Sequence, residues 1–216
     1  MIATSTMDQT ASFPDLFADD GAQKPDPFAV FDAWLAEAER TEPDNHNAMS
    51  LATVDADGLP DVRIVLLKAR TDEGFTFFTN FESAKGRELL GQPRAALNFY
   101  WKSSARQIRI RGTVEPVPDA TADAYFATRP RGSQIGAHAS IQSRALESRQ
   151  ALIDRVRDLE TRFEGADVPR PDHWSGFLVT PLYIEFWQNG EFRLHDRLVY
   201  RRDDSGADWA VQRLFP

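Results

Sequence analysis

The sequence predicts a mainly β fold with peripheral helices, of the α+β kind, closing as a small barrel or sandwich. Three observations carry this. Apolar and polar residues alternate along six to eight short segments. Turn signals such as Asp57-Gly58, Asp72-Glu73-Gly74 and Asn189-Gly190 separate neighbouring segments, as hairpins require. Long helical periods do not alternate with the strands, so a doubly wound sheet is not indicated, and neither GxGxxG nor a Walker sequence occurs.

The elements follow in order. Residues 1–26 are rich in Ala, Ser, Thr, Asp and Gln without an apolar period and read as a mobile arm; residues 27–216 read as one domain. Asp26-Pro27 opens a helix, with Phe28, Phe31, Leu35 and Ala38 at helical spacing. From Ala48 the period becomes two, giving strands near 48–54, 62–68 and 75–79. Ser83 caps a short helix over 84–90, which Pro93 stops. Strands at 95–101 and 106–117 come next, then a short helix at 121–128 and a Gly- and Ser-containing loop. A longer helix near 147–163 places Leu152, Val156, Leu159 and Phe163 on one face. Strands at 177–188 and 191–202 are joined at Asn189-Gly190, and 208–214 closes the chain.

Composition narrows the function. The 216 residues are enough to bury a core without disulfides or a structural metal. There is no cysteine, which excludes thiolate metal sites and a cysteine nucleophile, and the four histidines show no HxxxH spacing. No apolar run reaches membrane-spanning length, no secretory signal pattern opens the chain, and a cytoplasmic location is expected. The net charge of −8 hides an asymmetry: residues 1–62 carry −11, residues 63–111 carry +6 and residues 112–216 carry −3. An acidic chain is a poor nucleic-acid binder, whereas a local cationic stretch suits a small anionic ligand.

Four segments hold residues suited to that chemistry. Arg63 and Lys68 bracket Ile64, Val65, Leu66 and Leu67, a run that reads as a strand buried on both sides. Its cations then need partners, either a protein carboxylate or a bound phosphate. In 106–111, Gln107, Arg109 and Arg111 share one face, which reads first as a solvated polar face. Tyr125 and Arg129 lie four apart on a helix and lead into Ser133, a set able to hold a phosphate dianion or simply to end a helix. Period two puts Arg193, His195 and Arg197 in one row, beside Trp187 of the preceding strand; a row of cations calls for an anion or for solvent.

Together these segments resemble the pyridoxamine 5′-phosphate oxidase family. The resemblance rests on RIVLLK at 63–68, FFTNFESAKG at 77–86, RQIRIRG at 106–112 and YFATRPRGSQIGA at 125–137. It continues through QS at 142–143, HWSGF at 173–177, IEFWQNGEFRLHDRLVYRR at 184–202 and the terminal RLFP. It implies a split β-barrel binding FMN at a homodimer interface. By that resemblance Arg63, Ile64, Val65, Leu66, Leu67, Lys68, Phe78, Thr79, Lys85, Gln107, Gln142, Ser143, Trp187 and Arg197 hold FMN, with Arg63 and Lys85 near its phosphate. Lys68, Tyr125, Arg129 and Ser133 would hold the substrate phosphate, and Arg193 and His195 would be the catalytic pair beside the reacting C4′ carbon. The implied reaction oxidises pyridoxamine or pyridoxine 5′-phosphate to pyridoxal 5′-phosphate, with hydride transfer to flavin N5 and O2 as the final acceptor.

Three departures stand out. Ala84 occupies a position where many relatives carry a second cation, a loss worth about 1.5–3 kcal/mol of FMN binding if nothing replaces it. Residues 1–23 lack the Arg and Tyr that cover substrate in some relatives, and Arg144 follows the Gln-Ser pair where many have Ser or Thr. Two alternatives stay open: a split-barrel flavin oxidase of another ring, such as a phenazine precursor, and a non-catalytic carrier of FMN or pyridoxal phosphate.

Overall fold

The computed structural model describes residues 16–18, 21 and 23–216. Helix α1 (Pro27–Thr41) is followed by strands β1 (Ala48–Val54), β2 (Pro60–Leu66), β3 (Ala69–Thr71) and β4 (Gly74–Asn80). Helix α2 (Ala84–Gly91) leads to β5 (Arg94–Trp101) and β6 (Arg106–Pro116). Three helices follow, α3 (Asp119–Thr128), α4 (Arg131–Ala139) and α5 (Arg149–Arg162), and then β7 (Trp174–Gln188), β8 (Asp196–Arg201) and β9 (Ala210–Arg213). The strands form one curled antiparallel sheet in the order β2-β1-β5-β6-β7-β4-β3, with β8 beside β7 and β9 beside β8. This is the mixed α+β half-barrel that the alternation predicts.

Strand β7 is the spine. Its first half pairs with β4 (Phe77 with Phe177), its second half with β8 (Trp187 with Arg197), and most of its length with β6. The β6–β7 register slips between Arg111 and Gly112, a bulge that bends the sheet. Only glycine fits there, because a Cβ on Gly112 would lie 1.9 Å from the Thr180 carbonyl oxygen.

The concave face collects Met49, Leu51, Leu97, Phe99, Ile108, Ile110, Ile184 and Phe186 into the main core. Helix α1 seals it with Phe28, Phe31 and Trp34; Phe31 meets Phe75 and Phe99 edge to face at 4.8 and 5.2 Å. Asp26 caps that helix by accepting from the Ala29 N–H at 3.0 Å, and Pro27 stands in its first turn. A second cluster lies under α3, α4 and α5, where Phe126, Ile135, Val168 and Trp174 take Val156, Leu159 and Phe163 from one face of α5. The expected mobile arm at 1–26 falls mostly outside the described residues. Of its described part, Leu16 is buried in the main core and the Pro25 carbonyl accepts from the Tyr200 hydroxyl at 3.0 Å.

Four local expectations are corrected. The loop expected after residue 128 is helix α4 over its first half; Gly132, Ser133 and Gly136 lower its propensity, and Ile135 and Ala139 pack it down. Arg129 does not continue the helix of Tyr125: it is the residue after α3, with extended backbone. Strand β2 is not buried on both sides, since it is an edge strand with Val62 and Ile64 63% and 65% exposed. The strand expected over 191–202 begins only at Asp196. Residues 189–195 form a wide turn with a 3₁₀ segment at Glu191–Arg193, in which Phe192 and Arg193 take left-handed φ values of 54° and 67°. Gly190 is not in a two-residue turn (its φ is −117°) and is needed because a Cβ would meet the Leu194 carbonyl oxygen at 2.0 Å.

Candidate active site

A cavity of about 540 Å3 opens between β2, the end of β4, the start of α2 and the α3–α4 junction. Local rules position its walls. Strand β2 lays Arg63, Ile64, Val65 and Leu66 along one side, and Lys68 follows where the chain leaves the strand. Ser83 caps α2, accepting from the Gly86 N–H at 3.2 Å and donating to the Asn80 carbonyl at 2.6 Å, which places Lys85 in the first turn facing the cavity. Gly86 lets that turn lie close to the end of β4, since a Cβ would sit 2.3 Å from the Phe81 carbonyl oxygen.

The α2 end is polar. The Lys85 ammonium donates to Gln142 Oε1 at 2.8 Å, and burial together with the Arg63 charge pushes its pKa below the ordinary lysine value. Arg63 donates from Nη2 to Asp61 at 2.6 Å and to Glu88 at 3.0 Å, and from Nη1 to Thr53. Its partner here is therefore the protein carboxylate that the sequence left open as one of two choices.

The α3 end is aromatic and cationic. Phe78, Tyr125 and Trp174 form a cluster of nearly parallel rings, with Phe78 4.1 Å from Tyr125 (planes 16°) and 5.4 Å from Trp174 (5°), and Tyr125 6.1 Å from Trp174. The Arg129 guanidinium lies 4.7 Å from the Trp174 ring centroid, a cation–π contact. Burial lowers its pKa, and its Nη1 is buried without a hydrogen-bond partner. A desolvated guanidinium nitrogen lacking an acceptor is costly, and an anion in the cavity would relieve that cost.

A second group of residues lies apart from this cavity, on the convex face of β6, β7 and β8. Gln107 stands opposite Trp187, and Trp187 opposite Arg197. The His195 ring lies 4.7 Å from that of Trp187, and its Nδ1 accepts from the Gly190 N–H at 3.2 Å, so in the neutral ring Nε2 carries the proton. Arg197 is held by Glu185, with Nε at 2.8 Å and Nη2 at 2.7 Å from Oε1, while Nη1 donates to the Phe215 carbonyl at 3.0 Å. Glu185 is 1% exposed and also takes Arg109 and the Tyr183 hydroxyl, each at 2.5 Å. Burial would raise its pKa, but those hydrogen bonds and the two arginines overcome it and hold the carboxyl below its ordinary value. Arg109 thus serves a buried carboxylate rather than a purely solvated face. Arg193 is exposed on the wide turn and shares no strand row with His195 and Arg197.

Of the residues singled out from the sequence, Arg63, Ile64, Val65, Leu66, Lys68, Phe78, Thr79, Lys85, Tyr125, Arg129 and Gln142 line the one cavity. Leu67 packs in the main core instead. Ser133 and Ser143 are exposed and are not among the lining residues, and Gln107, Trp187, Arg193, His195 and Arg197 belong to the convex face and its turn. Sequence reasoning missed Trp174, Asn80 and Ser140 as lining residues, and it missed Glu185. Trp174 gave a signal in HWSGF, an aromatic at a strand start; Glu185 gave only its place two residues before Trp187.

Comparison with known proteins fits this geometry. Residues 35–163 match the family model described as pyridoxamine 5′-phosphate oxidase. Residues 174–216 match the pyridoxine 5′-phosphate oxidase C-terminal dimerisation region, which contains Glu185, Trp187, His195 and Arg197 of the convex-face cluster. A pyridoxine/pyridoxamine 5′-phosphate oxidase of Azorhizobium caulinodans is 59% identical over 88% of this chain and 90% of its own. One of Maricaulis maris is 54% identical over 99% of this chain and 96% of its own. Among solved structures, PhzG from Burkholderia lata, in complex with tetrahydrophenazine-1-carboxylic acid, superposes with a TM-score of 0.83 at 33% identity, covering 92% of this chain and 95% of that one. Matches of this length and identity, over a fold and a cation-lined cavity already in place, make the chain a member of the pyridoxine/pyridoxamine 5′-phosphate oxidase family.

Proposed function

We propose that the protein oxidises pyridoxamine 5′-phosphate and pyridoxine 5′-phosphate to pyridoxal 5′-phosphate, as a homodimer with FMN held between the subunits. The observation that carries this reading is Arg129. Its buried Nη1 lacks a protein acceptor inside a cavity that also takes Lys68 and Tyr125, a donor set suited to a phosphate dianion. The donors at the other end fit the phosphate of FMN, since Lys85 and Arg63 face the cavity there. When bound, FMN supplies the hydride acceptor, which O2 then reoxidises to give hydrogen peroxide.

The chain's own residues bind and orient. Anchoring the substrate phosphate at Arg129, Lys68 and Tyr125 spends remote binding energy on positioning the reacting carbon. Phe78 and Trp174 present flat apolar faces that exclude water along the cavity wall. Gln107, Trp187, Arg193, His195 and Arg197 are assigned to the partner subunit's cavity. Two findings support that assignment: Trp187, Arg193, His195 and Arg197 lie within the region matching the family's dimerisation segment, with Gln107 opposite Trp187 on the convex face, and β2 leaves Val62 and Ile64 exposed on that same face. His195, with Nδ1 held by Gly190, would offer Nε2 to the substrate, and Arg193 would stand beside the ring.

Purified protein is expected to be yellow, and pyridoxamine 5′-phosphate under nitrogen to bleach the flavin band. A colourless protein that takes up no FMN would end this reading. The likeness to PhzG keeps oxidation of an unphosphorylated ring as a second reading; bleaching by such a ring, with none by pyridoxamine 5′-phosphate, would favour it.

A further inference from the structure

We infer that Glu88 is an internal anion that competes with the cofactor's phosphate for Arg63, and that it limits how tightly this chain holds FMN. The inference rests on the FMN reading above. Glu88 lies on α2 one turn beyond Lys85, with its side chain only 11% exposed. It takes Arg63 Nη2 at 3.0 Å and the Thr53 hydroxyl. Asp61 takes the same Nη2 at 2.6 Å, and Nη1 is engaged by Thr53 and, at 3.4 Å, the Leu51 carbonyl. Both terminal nitrogens of the guanidinium are therefore committed to the protein.

The charges at this end of the cavity also cancel. Arg63 and Lys85 supply two positive charges, and Glu88 and Asp61 two negative ones. Ala84, next to Lys85, adds nothing. A dianion entering here meets a neutral cluster, and one of its carboxylates is screened little by water because it is mostly buried. Asp61 is the weaker competitor, since its side chain is 56% exposed.

The test uses the full-length chain freed of flavin and titrated with FMN and with riboflavin, which lacks the phosphate, by quenching of flavin fluorescence. Glu88→Gln keeps the shape and a hydrogen-bond acceptor for Arg63 but removes the charge. FMN affinity is expected to rise about tenfold, with riboflavin affinity unmoved, because the charge acts on the phosphate alone. Unchanged or weaker FMN binding, or an equal change for both flavins, would overturn the inference and make Glu88 a support for Arg63 or for the fold. Should Glu88→Gln fail to fold, Glu88→Asp draws the carboxylate back by one methylene; tighter FMN supports the inference, and unchanged or weaker FMN overturns it. A parent protein that binds neither flavin removes the cofactor reading and the inference with it, a result separable from a failure confined to the phosphate.

Discussion

The cavity beside β2 and the cluster on the convex face of β6–β8 solve the problem of gathering cations in opposite ways. In the cavity two of the cations are left partly unsatisfied among the described residues, although Arg63 is paired with Asp61 and Glu88: Arg129 has a buried nitrogen without a partner, and Lys85 has Gln142 and Ser83 but no carboxylate within ion-pair distance. On the convex face, one buried carboxylate, Glu185, takes Arg109 and Arg197 together. The first arrangement leaves donors that an anion can take. The second carries its own anion and needs none from outside, so its groups are held in a fixed orientation.

The largest effect is expected where the convex face would lose its anion. Glu185→Ala leaves Arg109 and Arg197 without their carboxylate and should cost about 3 kcal/mol or more in urea unfolding. A loss below about 1 kcal/mol would mean that the two arginines are already satisfied by solvent and Phe215. The same carboxyl makes a pH prediction. Its folded pKa is depressed below 4.5, so its stabilisation is complete above that value and is lost as pH falls through the lower folded value. Glu185→Gln should flatten that acid limb of the stability profile.

Next in size, Arg193→Ala should lower kcat/KM about 100-fold while FMN stays bound, as expected of a group acting on substrate from the neighbouring subunit. Kinetics matching the parent would remove it from the site. Arg129→Ala should raise KM for pyridoxamine 5′-phosphate about 10- to 100-fold, in line with a charge-assisted hydrogen bond. An unchanged KM would mean that the unpartnered nitrogen serves something other than the substrate phosphate. The smallest effect is expected at Ser83→Ala, which removes the α2 cap and should cost about 1 kcal/mol by thermal unfolding. A loss of FMN binding out of proportion to that would show how closely the cap sets Lys85.

The two regions were also unequally legible in the sequence. Alternation revealed β1, β5 and β6 because each has one face on the core, and the capping residues Asp26 and Ser83 marked the starts of α1 and α2. Strand β2 misled because an unbroken aliphatic run looks the same whether its second face meets protein or is left bare, as at Val62 and Ile64. The row at 193–197 failed for a different reason. Period two presumes extended backbone, and two successive left-handed residues, Phe192 and Arg193, break it. The pairing of Glu185 with Arg197 depends on the β7–β8 register, which that wide turn sets and no local pattern announces.

The long strand β7 has a consequence for how the molecule comes into being. Among the described residues strand β4 pairs only with β3 and β7, and Trp174 at the start of β7 stacks on Phe78 of β4. During synthesis the chain emerges N-terminus first, so about 95 residues separate Phe78 from the ring that completes its wall. Until β7 leaves the ribosome, β4 has one exposed flank, and an incomplete chain is most open to wrong pairing in that interval.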